Sequence, residues 1–204
     1  MRAVIQVLWR GVMQFEHHGW VFVVSNLFAA ILALPLVTLP LALAGLSYVS
    51  HTAQTTPAAH IDEFWIGVRK YWKEGLIVGI LNFAIFGVII ANYIFFLDQA
   101  GILFVVLRLM WFVIMLLWIA VQLYLWTILE EMEMPTLREG LRNAGVMIVR
   151  NLGFSLLLAF IILIFVLVSV ALFAVWALVT PSLIACIGTA ATLDRLAVYR
   201  AQQH

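Results

Sequence analysis

The sequence predicts an all-α, polytopic membrane protein whose six apolar segments form three hairpins, with short basic amphipathic helices at the membrane interface. Two observations predict this class: 66% of the 204 residues are hydrophobic and only 10% are charged, and the charges are missing from long stretches. Soluble proteins average ~45–50% apolar and ~25% charged residues. We therefore expect residues 1–204 to form a single transmembrane helical domain.

Four charge-free runs set the number of crossings, because a helix needs roughly 20 apolar residues to cross ~30 Å of hydrocarbon. The runs are residues 19–50, 75–97, 109–129 and 151–193. The second and third runs each fit one span. The fourth is about twice that length, and we predict that it turns at Thr180-Pro181-Ser182, where proline removes a backbone donor.

The first run is too long for one upright span and short for two. It contains Pro35 and Pro40, so we predict a tight or partly re-entrant hairpin; a single crossing is the alternative and would give five spans. Basic residues favour the hairpin, because Lys and Arg concentrate in short cytoplasmic loops. With six segments, all but one of the 11 Lys and Arg residues share one side: Arg2, Arg10, Arg69, Lys70, Lys73, Arg138, Arg142, Arg150, Arg195 and Arg200.

This distribution predicts a multi-pass membrane protein with both termini in the cytoplasm. Before each hairpin lies a short stretch with helical periodicity, apolar on one side and cationic on the other. Asp62 is a predicted N-cap for the second stretch, and Thr136 with Glu139 has capping-box spacing in the third. We expect these helices in the headgroup layer, where the interfacial basic residues are Arg69, Lys70, Lys73, Arg138 and Arg142.

Two short tetrapeptides raise the question of an internal repeat. Gly67-Val68-Arg69-Lys70 echoes Gly140-Leu141-Arg142-Asn143 at an offset of about 73 residues. A true repeat of an interfacial helix plus hairpin would explain the echo. Coincidence within a membrane-protein composition explains it equally well, and both interpretations stay open.

Several motifs resemble those of a known family. They are Asn26 and the stretches 34–38 (LPLVT), 62–67 (DEFWIG), 72–75 (WKEG) and 142–144 (RNA). In these motifs the chain resembles the YesL-like family of bacterial integral membrane proteins. The resemblance covers most of the chain. The family has no established activity, and the resemblance implies an accessory role beside a carbohydrate transporter, with no catalytic residue to carry over.

Arg108 lies inside an apolar stretch, about seven residues and ~10 Å from Gly101. A charge at the bilayer centre costs at least ~2.5 kcal/mol, so two alternatives arise: the side chain snorkels to the outer interface or reaches Asp98, or it contacts a ligand or ion. Met115 and Gln122 follow at intervals of seven, which places all three on one stripe of the helix.

Other polar intramembrane candidates are amides. Asn26, Asn82 and Asn92 are predicted to form hydrogen bonds between helices. Asn82 and Asn92 are ten residues apart and point some ~80° away from each other on a helix, so they do not form one site by themselves.

Catalytic and metal-binding patterns are missing from the sequence. The acidic run at Glu130, Glu131 and Glu133 and the pair His17-His18 could supply metal ligands, but bundle sites use Glu-x-x-His pairs, which do not occur here. We expect the acids to form salt bridges with Arg138 or Arg142 instead. The single Cys186 and the absence of GxSxG, GxxxxGK[ST] and HExxH predict a non-enzyme without cofactor or metal.

Six tryptophans lie near the ends of the segments, which is typical of an aromatic belt: Trp9, Trp20, Trp65, Trp72, Trp111 and Trp126. Sugar stacking is the alternative explanation for them.

The formal charge of +1 argues against nucleic acid as a partner. Two functions remain as hypotheses. The first is an accessory or interaction subunit that contacts the bilayer and a membrane partner such as a sugar transporter subunit. The alternative is a small transporter or channel with a polar path near Arg108 and Gln122. The oligomeric state is not predicted.

Overall fold

A computed structural model describes residues 2–56, 58–172 and 178–202, and within these ranges the chain is all-helical, without strands. A 3₁₀ turn at Leu36–Thr38 separates the second and third helices. The α-helices in this part of the chain are α1 Arg2–His17, α2 Gly19–Leu32, α3 Leu39–Thr55, α4 Asp62–Lys70, α5 Trp72–Phe95, α6 Ile102–Glu130, α7 Leu137–Arg150, α8 Leu152–Ala171 and α9 Thr180–Ala201.

Five of these helices are long and apolar enough to cross a membrane, namely α3 with its preceding turn, α5, α6, α8 and α9. The prediction of a polytopic helical membrane protein is confirmed at this level. Helix α2 has 14 residues and is therefore ~21 Å long, shorter than the ~30 Å hydrocarbon layer. A sixth full crossing is not shown, and the choice between five and six segments stays a prediction.

The first apolar run breaks at its prolines. Pro35 is extended, and the hydroxyl of Thr38 donates to the carbonyl oxygens of Leu32 and Pro35. Pro40 lies in the first turn of α3, where its missing N–H leaves no intrahelical bond unmade. Helices α2 and α3 then pack together, and Phe22 and Leu46 belong to one buried cluster.

A glycine lets α5 approach this break closely. A Cβ atom placed on Gly79 would lie 1.9 Å from the carbonyl oxygen of Val37, far inside contact distance. Only a residue without a side chain fits there, so α5 packs directly on the 3₁₀ turn. Around Gly87, two turns further along α5, no atom of a described neighbouring residue lies within 4 Å of the equivalent Cβ position.

The second break was predicted at Thr180-Pro181-Ser182, and this position was wrong. Helix α8 ends at Ala171 and α9 begins at Thr180, so Pro181 lies in the first turn of α9, a favoured place for proline. The connection includes residues 173–177, which lie outside the described ranges. Helix α9 packs mainly on α1, α3 and α6 and only lightly on α8. Gly188 allows its close approach to α6, because a Cβ there would lie 2.8 Å from the Leu123 carbonyl oxygen.

Two cap predictions had different outcomes. Thr136 caps α7 as expected: its hydroxyl accepts from the Glu139 amide at 3.4 Å and donates to the Glu139 carboxylate at 3.1 Å. Asp62 was predicted as the N-cap of α4, but it is the first helical residue and Ile61 occupies the cap without a side-chain bond. As an acid in the first turn, Asp62 still suits the helix dipole.

Burial is uneven along the spans. The last two turns of α6, Leu123–Leu129, are buried among α1, α3, α7 and α9. The other end of α6 and the end of α5 contact few neighbours and leave large apolar side chains exposed. We call these side chains the apolar tip: Ile90, Ile94, Phe95, Leu97, Ile102, Leu103 and Val106.

Candidate functional site

Charged residues gather at the end of the bundle opposite the apolar tip, which we call the basic end. Glu131, just after α6, accepts a hydrogen bond from His51 Nε2 at 2.8 Å and another from Arg200 at 2.8 Å. These bonds tie the ends of α3, α6 and α9 together. Partial burial opposes ionisation, but the bonds from His51 and Arg200 outweigh it and lower the pKa of Glu131 from its ordinary value.

Lys70 forms a second ion pair at this end, with Glu130 at 2.7 Å. Its ammonium also lies 5.2 Å from the ring centre of Tyr48 and 5.0 Å from that of Tyr71, within cation–π range. The remaining two basic residues of this stretch, Arg69 and Lys73, are exposed. The Lys73 ammonium lies 5.5 Å from the ring of Trp72.

The expected salt bridges between the acidic run and Arg138 or Arg142 were wrong. Both arginines are exposed, and neither forms an ion pair within the described ranges. The reason is the packing of α7, whose Gly140 face lies against Leu129 of α6. That contact turns the two arginines away from the acids, which bind His51 of α3, Lys70 of α4 and Arg200 of α9 instead.

The first and last helices meet at the same end. Arg10 of α1 lies 3.5 Å from Asp194 of α9. Arg195 also pairs with Asp194 and donates to Asn151 at the start of α8, at 3.4 Å. Among the described residues, the ion pairs at the basic end thus use cations from α1, α4 and α9.

Asn26 is fully buried and joins α2 to α9. Its amide donates to the carbonyl of Leu178 at 2.7 Å, and its carbonyl accepts from the Ser182 backbone N–H at 2.9 Å and from the Ser182 hydroxyl at 2.8 Å. The first N–H groups of a helix have no partner within that helix. Asn26 therefore caps α9 from a different helix.

Asn82 and Gln122 come together between α5 and α6. The Asn82 carbonyl accepts from Trp118 Nε1 at 2.8 Å and from Gln122 Nε2 at 3.1 Å. The Gln122 carbonyl oxygen is buried and has no partner in the described part of the chain. Asn92 is elsewhere on α5 and donates to Val88 of its own helix at 2.8 Å.

Arg108 is half-buried and turns toward the α5–α6 connection. Its guanidinium donates to the carbonyl of Leu97 at 2.7 Å, which is one residue away from the predicted partner Asp98. Leu97 follows the end of α5, where carbonyl groups lack helical partners. Arg108 and Gln122 are 14 residues and ~21 Å apart along α6, so the structure does not bring them into one site.

Trp126 was assigned to the interfacial aromatic belt, and this was wrong. It is 2% exposed and its ring centre lies 6.1 Å from that of Tyr71. Trp126 Nε1, the Tyr71 hydroxyl and one Glu130 oxygen are all buried without a partner in the described residues. Spacing near a segment end suggested a belt, but no sequence signal shows that Tyr71 covers this side of α6.

Three cavities accompany these contacts. A cavity of about 280 Å³ at the basic end is lined by residues from α6, α7 and α9, including Glu131 and Arg200. A second, of about 310 Å³, lies beside Arg150 and Arg195. The third, of about 230 Å³, is an apolar groove between α5 and α6. Within the described residues, no group of three His, Cys, Asp or Glu side chains is placed to hold a metal ion.

Glu131→Gln is expected to lower the free energy of unfolding by about 1 kcal/mol, because glutamine carries no charge and replaces one of the two accepting oxygens by an NH2 donor. Since the folded pKa of Glu131 is lowered, its stabilisation is present above the ordinary carboxylate pKa of about 4.3 and is lost as the pH falls through the folded value. Detergent-based unfolding at pH 7 and pH 4 measures both effects. Glu133→Gln is the matched control, and equal losses for the two variants would contradict the assignment.

Known proteins give no assignment, because no protein-family model, no curated protein and no solved structure matches the chain. The resemblance to the YesL-like family therefore stays a proposal.

Proposed function

We propose that the chain is a non-enzymatic accessory subunit of the bacterial inner membrane that works by contacting a second membrane protein. The observation that carries this proposal is the apolar tip, where Ile102 is 80% and Phe95 is 68% exposed. Exposure to lipid alone requires no partner. The position of Arg108 makes the tip different from an ordinary lipid-facing surface.

Helix α6 has 29 residues, which makes it ~43 Å long and longer than ~30 Å of hydrocarbon. If the Arg108 guanidinium lies at the outer headgroups, the stretch 109–129 alone spans ~31 Å. Leu97, whose carbonyl accepts from that guanidinium at 2.7 Å, then lies at the same level. The connection between α5 and α6 is thus in the headgroup layer with apolar side chains exposed. Contact with a partner protein would cover them, and hydrophobic mismatch favours such association.

The basic end supports the orientation. Arg10 of α1 and Asp194 of α9 are 3.5 Å apart, which favours both termini on one side and a doubled-back first run over a single crossing. The positive-inside rule then assigns this side to the cytoplasm. The apolar tip would face the periplasm or the extracellular side, where a transporter's outer domains are accessible.

The connection to carbohydrate uptake rests on the family resemblance alone. Under that proposal the partner is a subunit of a sugar transport system, and the chain belongs to the YesL-like family. The single observation that would strengthen this most is the identity of the protein that contacts the apolar tip.

A site-specific photo-crosslinker at Leu103 tests the proposal in native membranes. We expect one discrete protein adduct whose partner is a membrane transport protein. The matched control is a crosslinker at Ile80, which is 64% exposed on the same hairpin but closer to the basic end. Only lipid adducts at Leu103, or identical adducts at both positions, would contradict the proposal.

A small transporter or channel is the second candidate, and the unpartnered Gln122 carbonyl favours it. Transport sites lie near mid-depth and use polar groups in a cavity. Proteoliposomes containing the purified chain should then conduct a sugar, ion or anionic solute, and Gln122→Leu should reduce that flux. The accessory proposal predicts no flux from the chain alone and no effect of Arg108→Leu.

A further inference from the structure

The second cavity at the basic end has a composition that none of the contacts above explains. It measures about 310 Å³, at the small end of the range of ligand pockets, ~300–1,000 Å³. It lies between the α7–α8 junction and the last turns of α9. Its lining residues are Arg150, Asn151, Arg195, Val198, Tyr199 and Gln202.

The two arginines are held in place by aromatic rings. The Arg150 guanidinium lies 4.2 Å from the centre of the Tyr199 ring, and that of Arg195 lies 4.5 Å from the Phe154 ring. Arg195 also donates to Asn151 at 3.4 Å. Stacked guanidinium groups keep their edges available for hydrogen bonds, and they lose less side-chain freedom when they bind an anion.

Positive charge exceeds negative charge around the cavity. Asp194 is shared between Arg195 and Arg10, whereas no carboxylate of the described residues pairs with Arg150. The Tyr199 hydroxyl is buried and forms no hydrogen bond to any described residue. An unpaired guanidinium and an unused phenol donor at one cavity indicate an anionic ligand with acceptor oxygens.

Apolar side chains lie beside this polar centre: Val198 lines the cavity, and Val149 and Leu152 adjoin the lining residues Arg150 and Asn151 in the sequence. Val149 is 76%, Leu152 49% and Val198 43% exposed, and Leu152 is the first residue of a membrane-crossing helix. The cavity therefore lies where headgroups meet hydrocarbon. Basic pockets between membrane helices on the cytoplasmic side bind anionic headgroups, and a soluble phosphate would leave the surrounding apolar surface uncovered.

We propose that this cavity binds the phosphate group of an anionic glycerophospholipid. Arg150 contacts the phosphate oxygens as a planar pair of donors, and the Tyr199 hydroxyl donates to the same group. The acyl chains lie over Val149, Leu152 and Val198. This site goes beyond the partner role proposed for the opposite end of the molecule and does not depend on it.

Native mass spectrometry of the full chain, titrated with dioleoyl phosphatidylglycerol or dioleoyl phosphatidylcholine, tests the site. We expect one phosphatidylglycerol to be retained in preference to phosphatidylcholine. Arg150→Gln should weaken that binding about fivefold, as expected for one cation at an anionic headgroup. Tyr199→Phe keeps the ring and should weaken it by a smaller factor. Circular dichroism of each variant reports whether it is folded.

Arg138→Gln is the matched control, because Arg138 is an exposed arginine of the same helix; its binding should equal that of the unaltered chain. Equal retention of the two lipids, or equal losses for Arg138→Gln and Arg150→Gln, would overturn the proposal by showing only diffuse attraction. Inorganic phosphate forms the third arm. If it displaces phosphatidylglycerol at equal concentration, the site takes a soluble phosphate and the lipid assignment is overturned.

Discussion

Replacing Asn26 by leucine is expected to lower the free energy of unfolding by about 2–6 kcal/mol, because two buried backbone groups lose their hydrogen-bond partner. The side chain is fully buried and bonds to Leu178 and Ser182. Leucine has a similar size but leaves the Ser182 N–H and the Leu178 carbonyl without partners, at about 1–3 kcal/mol each. Unfolding in mixed micelles with increasing sodium dodecyl sulfate measures the loss.

Asn92→Leu is the control for this substitution, because the one bond of the Asn92 amide to a described residue goes to Val88 of its own helix. We expect a change of less than about 0.6 kcal/mol, the average of a membrane hydrogen bond. If Asn26→Leu is as mild as Asn92→Leu, then Asn26 does not cap α9. The attachment of α2 to α9 would then have to come from apolar packing alone.

Gly79→Ala is expected to destabilise the protein by about 1–3 kcal/mol or more, as an added methyl group does in a packed core. The new Cβ would lie 1.9 Å from the Val37 carbonyl oxygen, so α5 must move away from the 3₁₀ turn. The same unfolding measurement detects the effect. Reduced contact between α5 and the turn should also increase protease cleavage near Val37.

Gly87→Ala provides the opposite expectation on the same helix. A Cβ atom at Gly87 would meet no atom of a described neighbouring residue within 4 Å. Alanine is also favoured over glycine within a helix by about 0.5–1 kcal/mol. Gly87→Ala should therefore be neutral or stabilising. Equal destabilisation by the two alanines would show that α5 does not approach the proline break as the structure places it.

Segment positions were predictable because lipid excludes charge and backbone polar groups must be satisfied within the helix. Charge-free length identified α5, α6 and the pair α8 and α9, and prolines located the break between α2 and α3. The break before α9 was misplaced. Pro181 resembles a turn residue in the sequence, yet the first turn of a helix tolerates proline as well.

Partners of polar side chains were less predictable, because they depend on which helices become neighbours. Sequence distance suggested that Glu131 would pair with Arg138, but α9 brings Arg200 to it instead. Asn26 was expected to bond between helices, while its role as the cap of α9 depends on contacts 152 and 156 residues away in sequence. Arg150 gave no signal at all, because Tyr199 and the cavity beside it arise only from packing.

Cysteine accessibility tests the central claim, namely that the first apolar run doubles back so that both termini lie on the cytoplasmic side. Cys186 is fully buried and serves as an unlabelled background for single variants Arg2→Cys, Gln202→Cys and Gln99→Cys. With a membrane-impermeant maleimide, we expect Arg2→Cys and Gln202→Cys to react only in inverted vesicles and Gln99→Cys only in intact cells. Labelling of positions 2 and 202 from opposite faces would contradict the account.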